Sequence, residues 1–324
     1  MCKNKIKTYD VVALGELLID FINSGVSEQG NPIFEANPGG APCNVLSMLQ
    51  NLDKTTGFIG KVGKDQFGIM LKHVIEEIGI DTKGLIMDSD VNTTLAFVHT
   101  DEEGDRDFSF YRKPGADMML KAEEVHEEMI ANAKIFHFGS LSMTDTSVEE
   151  ATKKAIEIAK DNQILISFDP NLREPLWDSL DKAKEKIIYG ISQCDILKIS
   201  EEELVFVTNE ENIEKAVLKL KEINPMKLIC VTSGKKGSIA FYKDLVVYAA
   251  GFIQKKTIET TGAGDTFCAC MINYILENDI SDLKEYQLRE MLRFANAAAS
   301  IITTRKGALK AMPLKEEVNN LCKN

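Results

Sequence analysis

The chain has 324 residues, 27% of them charged and 44% hydrophobic, the composition of an ordinary globular protein large enough to bury an extensive core. With 38 Lys and Arg against 50 Asp and Glu its net charge is -12, and no basic stripe interrupts that balance, so a nucleic-acid partner is not expected. No apolar run approaches the roughly 18 residues of a membrane span, and the seven cysteines are scattered, odd in number and without paired metal-ligand spacing, which predicts free thiols in the cytoplasm and no membrane. An anionic substrate would therefore have to be met by helix N-termini, a metal ion and a few arginines.

From the N-terminus, short and nearly continuous apolar runs predict strands buried on both faces at 10–15 (DVVALG), 57–60, 134–139 (KIFHFG), 164–169 (ILISFD), 195–199 (DILKI) and 227–232 (KLICVT). Helical periods at 66–78, 147–160, 183–191 and 213–223 fall between them. That alternation predicts an α/β fold, a mainly parallel sheet flanked by helices, with ligands at the carboxyl ends of the strands.

Two segments break the rhythm. Residues 20–38 hold turn formers and no helical period, while 92–112 alternates as TLAFVHT, turns at DEEGD and resumes as FSFYR, the pattern of a hairpin. Both leave the sheet where a ligand would sit. The expectation is a core domain of 1–19, 39–91 and 113–324 with a small β lid of 20–38 and 92–112 that excludes water when closed. Beyond residue 265 the sequence reads as helix to 278 and again over 287–304, then as a charged tail.

The stretch 259–267 (ETTGAGDTF) joins an anion-sized gap in the backbone to a carboxylate. Gly262 and Gly264 have no side chain to block an anion, and Phe267, Met271, Tyr274 and Ile275 recur at helical spacing, so the glycines stand where a helix begins with free N–H groups. Asp265 falls in the first turn, placed to take the proton of an attacking alcohol while those N–H groups hold a phosphoryl group. Small residues at such a junction also serve tight packing alone; the carboxylate in register is what points to phosphoryl transfer. No Lys-Ser or Lys-Thr pair follows a glycine at P-loop spacing, and Phe267 occupies the third glycine position of a dinucleotide fingerprint.

The segments 39–45 (GGAPCNV) and 60–68 (GKVGKDQFG), with Thr260 to Asp265, resemble the two signatures of the ribokinase/PfkB family of carbohydrate kinases, and the likeness runs nearly end to end. Within that family the chain is most similar to fructokinases, through DFSFYRKPGAD at 107–117, FHFGS at 136–140, DPNLREPLW at 169–177 and FANA at 294–297. The resemblance implies a ribokinase-like fold and an ATP-dependent kinase acting on fructose, with Mg²⁺ accompanying ATP; the β-hairpins of the lid point to a homodimer formed through it. It implies that Asp265 is the general base and that the N–H groups of Gly262, Ala263 and Gly264 hold the transferring phosphate. It assigns Asp20 (at the end of the first strand), Gly39, Gly40, Asn44, Phe110, Arg112 and Arg173 to the sugar. Lys198, Ser200, Glu203, Thr232, Gly234, Gly237 and Asn296 are assigned to the nucleotide; no direct metal ligand is assigned, and Glu203 is the candidate to reach the metal through water. The family's monovalent-cation (K⁺) site uses mostly backbone oxygens near this turn and near Gly307.

Taken bare, these residues have plainer readings: Asp20 as a turn residue, Asn44 as a helix cap, Glu203 as a first-turn helix charge, Asn296 as a helix-face hydrogen bonder. Three positions depart from the pattern: Glu259 where many members have Asp, Ser200 where many have Asn, and Cys270 where the signature often ends in glycine. The alternative activity is a 2-keto-3-deoxygluconate kinase, in which Tyr111-Arg112 and Arg173 would clamp a sugar-acid carboxylate. A sugar-binding regulator that has lost catalysis would be expected to lose Asp265 or the glycines, and all are present.

Overall fold

The computed structural model describes residues 7–100 and 106–323; Cys2 and the DEEGD turn of 101–105 lie outside the described residues. In chain order, β1 (Tyr9–Leu14) is followed by β2 (Leu18–Val26), β3 (Pro32–Gly39) and α1 (Ala41–Gln50), then β4 (Thr56–Gly63), α2 (Gln66–Ile78), β5 (Asp81–Asp88), β6 (Leu95–Thr100) and β7 (Arg106–Tyr111). Next come α3 (Glu127–Ala131), β8 (Ala133–Gly139), α4 (Thr146–Asp161), β9 (Leu165–Asp169), α5 (Leu180–Gln193), β10 (Ile196–Ser200), α6 (Glu201–Thr208), α7 (Ile213–Ile223) and β11 (Leu228–Thr232). The chain closes with β12 (Gly237–Tyr242), β13 (Leu245–Ala250), α8 (Ala263–Glu277), α9 (Glu285–Ile302) and α10 (Lys315–Lys323).

Nine strands form one sheet in the order β13-β12-β11-β10-β9-β8-β1-β4-β5, parallel from β11 to β5 and antiparallel at the β12 and β13 edge. Because side chains alternate along a strand, β1 gives Val11 and Ala13 to one core, under α1, α2, α8 and α9. Val12 and Leu14 go to the other core, under α4, α5, α6 and α7. The helices are started by their own sequences. Asp65, Asp145, Ser179 and Asn212 each accept a backbone N–H in the first turn of α2, α4, α5 and α7, whereas α8 begins at Gly262, which has no side chain to do so.

The two excursions pair with one another in a separate sheet of order β3-β2-β6-β7, in which β2 and β6 run parallel. One face carries Phe21, stacked on Phe97 at 4.8 Å and edge-on to Phe67 of α2 at 5.6 Å, which seats the small sheet against the core. The opposite face carries a row in register across all four strands: Asn37, Asp20, Ala96 and Phe110.

Some expectations need correction. Asp20 lies in β2 and not at the end of the first strand, which stops at Leu14. The charged tail is the helix α10: Val318 is buried, Arg305 pairs with Glu317, and Arg293 bonds the Cys322 carbonyl, tertiary ties that a polar sequence does not advertise. The strands β5, β12 and β13 were not anticipated; β13 is an edge strand with Val247 and Ala249 buried and Val246 and Tyr248 exposed. All six described cysteines are free, as expected.

Gly237 opens β12 at φ 118°, and a Cβ there would stand 2.1 Å from the Ala249 carbonyl oxygen and 2.6 Å from the Gly251 nitrogen. Gly237→Ala is therefore expected to lower the unfolding free energy by about 1–3 kcal/mol, seen as an earlier denaturant midpoint at unchanged slope.

Candidate active site

A cavity of about 710 Å³ opens at the carboxyl ends of β10 and β11, roofed by the inner row of the small sheet. Asp20, Asn37 and Phe110 face it from above, and Asn44, Gly264 and Asp265 line it from the core.

Its centre is the start of α8. Gly262 adopts a left-handed conformation (φ 77°), and the first helical bond runs from the Thr266 N–H to the Gly262 carbonyl at 2.8 Å. The N–H groups of Gly264 and Asp265 consequently have no acceptor among the described residues. That of Ala263 does: it donates to the Thr260 carbonyl at 3.2 Å, so only part of the expected N–H set is open. Gly264 also leaves room for a cation, since a Cβ there would lie 3.0 Å from the Lys198 ammonium.

Asp265 is buried, and its Oδ2 accepts a 2.8 Å hydrogen bond from the Nδ2 of Asn44. Asn44 lies inside the first turn of α1, its own N–H bonded to the Gly40 carbonyl, so it is not a cap. Its Oδ1 is buried without a partner among the described residues, an acceptor held ready for a donor. Burial pushes the Asp265 carboxyl above its ordinary value, against the opposing pull of Asn44, Lys198 and Arg173.

Burial likewise raises Asp20 to about 7, with nearby Glu259 adding to the shift and Arg173 opposing it. Gly39 makes room for Asp20, as a Cβ there would come 2.5 Å from its Oδ2; Gly39 itself does not line the cavity, whereas Gly40 does. Arg173 is exposed at the rim and lines the cavity. Arg112 does not. It is buried in an ion pair with Asp117 at 2.7 Å and bonds Thr144 and the Leu141 carbonyl, so its guanidinium is committed within the protein.

On the nucleotide-assigned side, Lys198, Ser200, Glu203, Thr232 and Gly234 line the cavity together. Burial alone would weaken the Lys198 ammonium, but Asp169, with both carboxylate oxygens at 3.0–3.1 Å, and Glu203 beyond it hold its pKa above the ordinary value. Glu203 accepts the Leu172 N–H and the Ser200 N–H, both at 2.8 Å, and its own N–H is capped by the Ser200 hydroxyl, so the serine that replaces asparagine closes a capping box. Gly237 and Asn296 lie outside the lining. The Asn296 amide donates to the Ala249 and Ala250 carbonyls and accepts from Ser238, pinning α9 to the edge strands, which is its plainer reading.

Three site groups escaped the sequence reading. Asp169 ends β9 and was visible only as part of DPNLREPLW; Glu16, whose Oε1 accepts the Ala41 N–H that starts α1, and Asn37 had no motif to mark them.

The family model for pfkB family carbohydrate kinases matches residues 8–315. The chain is 41% identical over 313 residues to Fructokinase-1 of Zea mays, covering 96% of this chain and 97% of that relative. Its fold is similar to a fructokinase from Xylella fastidiosa solved with bound ATP, with a TM-score of 0.88 at 30% identity over 97% of this chain and 98% of the other. It is similar also to a double-mutant fructokinase from Vibrio cholerae O395 solved with fructose, ADP and potassium ion, with a TM-score of 0.86 at 27% identity over 98% of this chain and 100% of the other.

Because burial raises Asp20 above its unfolded value of 3.8 to about 7, the folded state gives up stability as pH rises between those values. Asp20→Asn is expected to raise the melting temperature at pH 8, with the gain fading as pH falls toward 4; a gain independent of pH would remove the carboxylate as its source.

Proposed function

The chain belongs to the pfkB family of carbohydrate kinases, and from that membership we propose that it transfers the γ-phosphoryl group of ATP to a primary hydroxyl of fructose, giving fructose 6-phosphate and ADP. The observation that carries this reading is the buried Asn44–Asp265 hydrogen bond, which holds a carboxylate at the open end of α8 inside a cavity shared with Asp20.

In the proposed reaction Asp265 accepts the hydroxyl proton as oxygen attacks phosphorus. The open N–H groups of Gly264 and Asp265 stabilise charge on the transferred phosphoryl oxygens, and the Lys198 ammonium, kept protonated by Asp169, stands beside them. Asp20 and the Asn44 Oδ1 accept sugar hydroxyls, Phe110 covers the sugar, and Arg173 at the rim meets phosphate. Lys198, Ser200, Glu203, Thr232 and Gly234 form the nucleotide side, with the small sheet as a lid above the sugar.

Among the described residues no group of three or more His, Cys, Asp or Glu is placed to hold a metal ion, and both Glu203 oxygens already accept backbone N–H groups. This fits Mg²⁺ carried by the triphosphate and water, where it neutralises phosphate charge. A monovalent cation also fits: the Glu259 Oε1 is buried without a partner beside the turn, and Glu259 and Gly307 would help hold a K⁺ ion there. The proposed compartment is the cytoplasm, and no described helix is long and apolar enough to cross a membrane. A homodimer through the small sheet would cover Val26, Ile33 and Tyr111, which are exposed.

The sugar-acid alternative loses half of its clamp, because Arg112 is committed to Asp117 and only Arg173 remains to meet a carboxylate. The cavity is otherwise rich in carboxylates, among them Glu16, Asp20, Glu202, Glu259 and Asp265, which disfavours an anionic sugar.

The test of substrate is ADP release with Mg-ATP across fructose, 2-keto-3-deoxygluconate, ribose, glucose and adenosine. Fructose is expected to give the highest kcat/KM; preference for the keto acid would reassign Arg173 as a carboxylate ligand. Asp265→Asn is expected to lower kcat by about 10²- to 10⁴-fold while fructose affinity measured by calorimetry stays near normal. Turnover close to that of the unaltered protein would refute the base.

A further inference from the structure

The hairpin β6–β7 leaves the core and returns to it through one buried cluster. Thr94, just before β6, donates its hydroxyl to the Oδ1 of Asp117 at 2.5 Å. Arg112, just after β7, donates its Nε to the Oδ2 of the same carboxylate at 2.8 Å, with an Nη2 contact at 2.7 Å. One aspartate therefore closes the base of the hairpin beside its last rung, Leu95 opposite Tyr111. The other side of the guanidinium is fixed to the turn after β8, through the Thr144 hydroxyl at 2.9 Å and the Leu141 carbonyl at 3.2 Å. All four side chains are buried, and a Cβ on Gly115 would fall 1.8 Å from the Thr94 hydroxyl, so the cluster has no slack.

Neither Arg112 nor Asp117 lines the cavity, so neither touches a ligand there. A buried ion pair is a poor device for stability alone, since desolvation offsets most of its attraction, but a guanidinium whose Nε and Nη2 both meet one carboxylate oxygen, with Thr94 on the other, fixes direction. Direction matters at this place. Phe110 stands two residues before Arg112 and shares its row with Ala96 and Asp20, so a rotation at the base of the hairpin is carried to the groups that face the sugar.

We propose that Asp117 is a positioning residue for sugar binding: through Arg112 and Thr94 it sets the angle at which the small sheet stands over the cavity, and thereby where Phe110 and Asp20 meet the substrate. This rests on the sugar-kinase reading above.

The experiment compares Asp117→Asn, Arg112→Lys and Thr94→Val with the unaltered protein, using the sugar that the latter phosphorylates best and checking each variant's melting curve. Asp117→Asn is expected to raise the sugar KM roughly tenfold or more while the ATP KM stays within about twofold. Arg112→Lys, which keeps the charge and loses the fork, should fall between the two proteins. Thr94→Val should move the sugar KM in the same direction by less; it keeps the ion pair and gives the answer if Asp117→Asn fails to fold. Folded variants with unchanged sugar KM, or with sugar and ATP KM rising together, overturn the positioning role and leave the kinase reading intact. Absence of sugar turnover by the unaltered protein overturns both.

Discussion

Asn44 and Asp265 come from opposite ends of the chain and meet in one buried hydrogen bond of 2.8 Å. The site depends on that contact, because α1 and α8 approach the cavity from the same core and the bond fixes the carboxylate relative to both helix N-termini. It also makes a desolvated carboxylate tolerable. Asp265 has lost most of its water, which strengthens it as a base, and the Asn44 amide supplies the donor that keeps it oriented.

The cations in and beside the cavity divide in a consistent way. Lys198 is neutralised by Asp169 and Arg112 by Asp117, so each buried positive charge has its own carboxylate, while Arg173 at the rim is offset by none at ion-pair distance among the described residues. The pair with Asp117 ties Arg112 into the framework, the pair with Asp169 holds Lys198 charged at the cavity wall, and Arg173 stays open at the rim. Residue type alone would place all three in the same role, and only the partners separate them.

Much of the framework was legible because its signals are local. Continuous apolar runs located β1, β4, β8, β9, β10 and β11, the helical periods at 66–78 and 213–223 marked α2 and α7 to the residue, and the alternation in TLAFVHT and FSFYR located β6 and β7. The turn before Asp265 was readable since glycine, glycine and carboxylate fall within one helical turn. What stayed hidden depends on partners distant in sequence. Arg112 looks like a ligand until Asp117 and Thr144 are seen around it, Asn296 until Ser238 and Ala249 are, and α10 reads as a tail until Arg305 and Arg293 hold it.

The small sheet has a consequence for the order in which the protein can assemble. Its central pair, β2 with β6, is parallel and joins segments separated by β3, α1, β4, α2 and β5, so closing that long loop is expected to follow the docking of β1, β4 and β5 side by side. The nucleotide side, built at the ends of β10 and β11 from neighbouring parts of the chain, has no such dependence. The row of Asn37, Asp20 and Phe110, proposed above to face the sugar, is therefore expected to form late and be lost early, so that a partly unfolded population would keep the proposed nucleotide surface after the sugar side has gone.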